Sequence, residues 1–110
     1  MASDVEFVEY VVGQLNGLSE IRYKKMFGEF ALYYKEKLVA LVCDNQLFVK
    51  SSKMGREFLK DVKEEAPYPG AKPSFLIDML ENSEILCELI EITWLELPVR
   101  KAKNIKGATL

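Results

Sequence analysis

The sequence predicts an α+β domain in which an antiparallel β-meander is packed with about three helices. Three observations predict it. Apolar residues recur at helical spacing near the start, the middle and the end of the chain. Between the first two of these stretches they alternate or run continuously, the pattern of strands. Asp44-Asn45 then separates two apolar runs with a pair of residues that tolerate the positive φ a tight hairpin turn demands.

The first helix is read from SDVEFVEYVVGQLNG, where Val5, Val8, Val12 and Leu15 share a face, Ser3 and Glu6 have capping-box spacing, and Gly17 suits the C′ position. Ile21, Tyr23 and Met26 suggest a short strand. Phe30, Leu32 and Tyr34 alternate with Ala31 and Tyr33 in the next. Lys35-Glu36-Lys37 is a polar turn, Leu38 to Cys43 a continuous apolar strand, and Gln46 to Lys50 the strand after the Asp44-Asn45 turn. SSKMGREFLKDVKEE reads as a second helix with Met54, Phe58, Leu59 and Val62 as its stripe. APYPGAKP is a loop, since its prolines and glycine forbid regular structure. Ser74 to Met79 forms a last strand. Asn82 or Ser83 then caps a third helix that turns Ile85, Leu86, Leu89, Ile92 and Thr93 inward and ends before Pro98.

At 110 residues, 49% hydrophobic and 29% charged, the chain has the balance of one globular domain that needs no disulfide. Residues 1–97 make that domain, with 11 bases against 17 acids. Residues 98–110 carry four bases and no acid, and this tail has little to bury and is expected to be flexible. An acidic body does not draw a phosphate backbone by bulk charge. The start MASDVEFVEY lacks the basic and apolar regions of a signal peptide, and no apolar run approaches membrane-spanning length. Cys43 and Cys87 have no metal-ligand spacing, there is no histidine, and two free thiols suit a reducing cytosol, although sequence leaves a bridge between them open. The expected location is cytoplasmic.

The run Leu38 to Cys43 is apolar on both strand faces, with Leu38, Ala40 and Val42 assigned to one and Val39, Leu41 and Cys43 to the other. A sheet with one wet face would alternate. Two arrangements fit. Helices cover both faces, or all helices lie on one side and Tyr33, Val39, Leu41 and Phe48 meet a protein partner, such as a second copy in a homodimer.

The blocks Arg22-x-x-x-Met26-Phe27-Gly28 and Leu32-Tyr33, the hairpin residues Asp44, Leu47 and Lys50, and the loop Pro67-Tyr68-Pro69-Gly70 with Lys72-Pro73 together resemble the TfoX/Sxy N-terminal domain family, over about residues 18–97. Trp94 looks like the tryptophan of that family's terminal helix. Glu29, Phe30 and Ala31 depart from the family's usual Gly, Tyr and Gly, and Ser74-Phe75-Leu76-Ile77 departs from its last strand. The resemblance implies a two-layer fold similar to secretion-chaperone-like domains, which often dimerise. It also implies an association with regulation of competence genes through a protein partner, a cyclic-AMP receptor protein at promoters. The full regulators carry a second, C-terminal domain, whereas this chain matches only the first.

The residues suggest little chemistry of their own. Gly28 is read as a bulge or positive-φ position, with Met26 and Phe27 packing beside it. Arg22, Lys24 and Lys25, with Arg100, Lys101, Lys103 and Lys106 of the tail, could touch nucleic acid, but basic residues on a strand edge more often discourage edge pairing. Lys72 is followed by Pro73 and a strand, which excludes a P-loop. Cys43 has no histidine partner and lies in an apolar strand, where a thiol is inert. No catalytic group, metal ligand or cofactor site is assigned, and the expectation is a non-enzymatic interaction domain. A pocket lined by Tyr68, Tyr33 and Glu29 would favour a small-ligand reading instead.

Overall fold

The computed structural model describes residues 4–26 and 29–97. Helix α1 (Val5–Gln14) precedes the meander β1 (Ile21–Met26), β2 (Glu29–Tyr34), β3 (Lys37–Cys43) and β4 (Gln46–Lys50). Helix α2 (Lys53–Leu59), β5 (Lys63–Glu65), β6 (Ser74–Ile77) and α3 (Ser83–Glu96) follow. The strands form one antiparallel sheet in the order β1-β2-β3-β4-β6-β5, so the predicted α+β architecture holds. No helix among the described residues is long and apolar enough to cross a membrane.

The hairpins are set by their turns. Asp44 and Asn45 have φ of 55° and 56°, the paired positive values of a type I′ turn, and Lys35 and Glu36 do the same with 47° and 73°. The second pair is less favourable chemically, since neither residue is a habitual left-handed former. Lys37 compensates at that end of the sheet. Its Nζ lies 4.3 Å from the Trp94 ring centre and donates to the carbonyls of Trp94 (3.0 Å) and Leu97 (2.7 Å), closing the C-terminus of α3.

The three helices of the described residues pack on one face of the sheet. Val8 and Val11 of α1 and Leu86, Leu89 and Ile90 of α3 join a buried cluster with Phe30, Leu32, Ala40, Val42, Leu47, Val49, Phe75 and Ile77, and Phe58 and Leu59 of α2 pack against it. Cross-strand partners Phe30–Val42, Val42–Leu47 and Val49–Phe75 place these side chains in rows on that face. Within α3 the buried positions are Leu86, Leu89, Ile90 and Thr93, so Ile90 takes the inward place expected of Ile85 and Ile92, which are only half-buried.

Several expectations are corrected. The sequence assigned Val39 to the second face, but a β-bulge intervenes. Leu32 pairs with Ala40 and Tyr33 with Leu38, leaving Val39 as the extra residue, and it is fully buried in the helix-side cluster. Leu38 therefore joins Leu41 and Cys43 on the other side. The second helix is half the expected length: Lys60 adopts φ 65° and breaks it, Val62 lies beyond it, Met54 is exposed, and Lys63–Glu65 pair with β6 instead. The last strand stops at Ile77 rather than Met79. Helix α1 ends at Gln14, too early for Gly17 to be its C′ residue, and its N-cap is Asp4, while Ser3 lies outside the described residues.

Candidate functional site

Among the described residues no helix lies over the second face. Ala31, Cys43 and Phe48 are nevertheless buried there, outside the helix-side cluster. Leu41 pairs with Ala31 on one side and Phe48 on the other, so the three form a continuous apolar row across β2, β3 and β4, with Lys24 at one end and Leu76 at the other. What lies over one end of this face is the loop between β5 and β6. Pro67, Tyr68 and Pro69 form one wall of an open groove of about 640 Å³ whose other walls are Met26, Phe30, Leu38, Leu41 and Cys43. Glu29 and Asp44 close one end with negative charge.

Each wall has a local cause. Gly70 at φ 90° turns the loop back, and Ala71 N–H donates to the Tyr68 carbonyl at 3.0 Å. Ser51 Oγ bridges Glu64 Oε1 and the Pro73 carbonyl, both at 3.1 Å, which ties the loop's far end to the start of α2. Asp44 N–H donates to Glu29 Oε1 at 3.2 Å, joining the two acidic residues across the β2 and β3 ends. Tyr68 stands 54% exposed, a large aromatic left at the groove mouth.

Cys43 is buried in this groove, and its thiol pKa is raised, first by burial and then by the negative charges of Glu29 and Asp44. The thiol is thus held protonated and unreactive, as an apolar strand position implies. Cys87 lies on α3 on the opposite side of the sheet, its Sγ 3.7 Å from the Gln14 carbonyl, and both cysteines are free. Among the described residues no group of three or more acidic or cysteine side chains is placed to hold a metal ion.

A model of the TfoX N-terminal domain matches residues 13–92. The chain belongs to the TfoX N-terminal domain family. It is also similar to an uncharacterized 12.7 kDa protein in the trpE 5′ region of Spirochaeta aurantia, 36% identical over 110 residues that cover 99% of this chain and 96% of that protein.

The residues that carry the family resemblance are far apart in sequence and meet in this TfoX N-terminal domain. Met26 ends β1, Asp44 opens the β3–β4 turn, Pro69 sits in the loop, and all three line the groove. Leu32 faces the helices and Tyr33 the other side, so that pair is divided between core and open face. Phe27 and Gly28 fall outside the described residues. Of the interface candidates, Tyr33 and Leu41 are half-buried on the open face, Phe48 lies there with little surface left, and Val39 is removed to the core. Tyr68 and Glu29 share the groove as the small-ligand reading required, but Tyr33 is not among its walls.

Of the nucleic-acid candidates, Arg22, Lys24 and Lys25 lie on β1 at the sheet edge. Arg22 is already engaged, ion-paired to Glu36 at 2.9 Å and 5.5 Å from the Tyr33 ring centre. Arg100, Lys101 and Lys103 lie outside the described residues. Sequence reasoning named Tyr68 and Glu29 but not the other walls of the groove, because no single stretch contains them, and the signal that could have found them was the family motif read as one spatial set.

Proposed function

We propose that this TfoX N-terminal domain is a cytoplasmic, non-enzymatic protein-interaction domain that works through the open face of its sheet and forms a homodimer there. The observation that carries the reading is the asymmetry of the sheet. Among the described residues three helices cover one face, while the other keeps the apolar row Ala31, Leu41 and Phe48 and a groove walled in part by the family's motif residues. An apolar surface without a covering layer marks an interface. Membership of the TfoX family supports a regulatory role, in competence or transcription, exerted through such a protein contact.

Sedimentation equilibrium tests this. Wild type at micromolar concentration should have twice the chain mass, and Leu41→Asp should have the mass of one chain while keeping its far-ultraviolet circular dichroism. A wild-type protein of one-chain mass would remove the homodimer.

One observation favours a second reading, a ligand-binding domain: Tyr68 and Glu29 bracket the same groove. Native mass spectrometry of the purified protein distinguishes the two, since a non-covalent small molecule lost on Tyr68→Ala would support the ligand reading.

A further inference from the structure

We infer that the free edge of β1 accepts an extended, acidic segment of a partner protein as a seventh strand. Among the described residues β1 pairs with β2 alone and stands at the outer end of the sheet. Its six residues pair in unbroken register from Ile21–Tyr34 to Met26–Glu29, without the bulge that interrupts β2 and β3. In an antiparallel pair, alternate residues direct their N–H and C=O groups away from the neighbour, so half of this backbone is available to another strand. Arg22, Lys24, Lys25 and Met26 are exposed, while Ile21 and Tyr23 are half-buried and pack against the core.

The charge on this edge selects the partner. Arg22 is bound to Glu36, but Lys24 and Lys25 make no ion pair with any described residue. Strand side chains alternate, so Lys24 lies with Ala31 on the open face and Lys25 with Phe30 on the helix side. An added strand would have a cation beside it on each face. A second copy of β1 would bring like charges opposite each other, which disfavours self-pairing at this edge. Glutamates or aspartates at the same cross-strand positions would pair with both lysines. The two lysines thus repel β1 and recruit an acidic strand.

The opposite edge is built differently. β5 has three residues, and its Glu64 is held by Arg56 at 2.7 Å and by Ser51. It offers a short acidic stub, and only β1 presents a full strand.

The test is a titration of the full isotope-labelled chain with the synthetic peptide Glu-Val-Glu-Glu-Val-Glu, followed by amide chemical shifts. Shifts should concentrate on residues 21–26 and the facing β2. Lys24→Glu with Lys25→Glu should weaken binding about tenfold as attractive cross-strand pairs become repulsive. The peptide N-methylated at alternate residues should not bind, because it cannot complete the ladder. Shifts centred on the open face or the helices, equal binding by the N-methylated peptide, or no binding at millimolar peptide would each overturn the inference. The Leu41→Asp protein should bind the peptide as wild type does, which keeps this result separate from the open-face association.

Discussion

The two faces of this sheet are made from the same strands, yet among the described residues one is covered by a layer of helices and the other only at one end, by a loop. On the helix side Phe75, Leu86 and Leu89 have no exposed surface and belong to one buried cluster drawn from the sheet, α1 and α3. On the other side Leu41 is half-exposed, and its neighbours Ala31 and Phe48 are covered without any helix. A buried apolar side chain stabilises the fold in proportion to the area it removes from water and to the partners that cannot follow when it is deleted. Substitutions on the helix face should therefore register as lost stability, and those on the open face as lost association.

The largest effect is expected from Phe75→Ala. Its ring edge lies against Gly55 of α2, and Arg56 is 5.8 Å from the ring centre. Truncation should cost about 4 kcal/mol, measured as a lower urea midpoint at unchanged slope. Leu41→Ala should cost less than about 2 kcal/mol, because part of that side chain is already in water. Equal losses at the two positions would break the comparison and show that the open face is as much core as the other.

Gly55→Ala sharpens the comparison on the helix side. A methyl group there would lie 2.6 Å from Ser52 Oγ, 2.8 Å from Phe75 Cε2 and 3.3 Å from Leu89 Cδ1. Ser52 Oγ also accepts the Gly55 N–H at 2.9 Å as the N-cap of α2, so it cannot retreat without losing that bond. Alanine's better helix propensity is worth about 1 kcal/mol, and the overpacking should exceed it, for a net loss of about 1–2 kcal/mol. A higher melting temperature for the variant would mean that α2 rides loosely on β6.

The parts of the fold that were legible in the sequence are those governed by local chemistry. The Asp44-Asn45 turn, the continuous apolar β3 and the capping by Asn82, whose side chain accepts the Ile85 N–H at 3.3 Å, follow from residue type and spacing. The misplacements come from long-range choices. Strict alternation put Val39 on the open face, and only the pairing with β2 reveals the bulge that turns it inward. Lys63–Glu65 have helical composition, but β6 offers them a ladder, and a lysine at Lys60 gives no sign that it will take a positive φ. The groove was legible only as scattered motif residues, because register and loop docking bring Met26, Asp44 and Pro69 together.

The smallest expected effect lies where the two faces are joined. Glu64 accepts from Arg56 Nε at 2.7 Å and Nη2 at 3.1 Å, and from Ser51 Oγ, which also reaches the Pro73 carbonyl. It therefore links α2 on the helix side to the loop that walls the groove on the other. The Arg56 hydrogen bonds are the main reason its carboxyl pKa is lowered in the folded protein; burial opposes them, and the Ser51 hydrogen bond and the Arg56 charge add to the lowering. A lowered folded pKa means that the stabilisation is present above the unfolded value, about 4.3, and is lost as pH falls through the folded one. Glu64→Gln should then be slightly less stable than wild type at neutral pH, a small difference because the pair is surface-exposed and screened, and the difference should shrink as pH falls below the unfolded carboxyl value toward the lowered folded one. Urea midpoints from pH 7 to pH 3 measure this. The same variant should broaden or shift the amides of Tyr68 and Ala71 at neutral pH, because loss of the carboxylate charge weakens its hold on Arg56 and Ser51 and slackens the loop. Curves that stay parallel down to pH 3 would show that the loop is held by its own turn alone, and that the groove wall is independent of the helix layer.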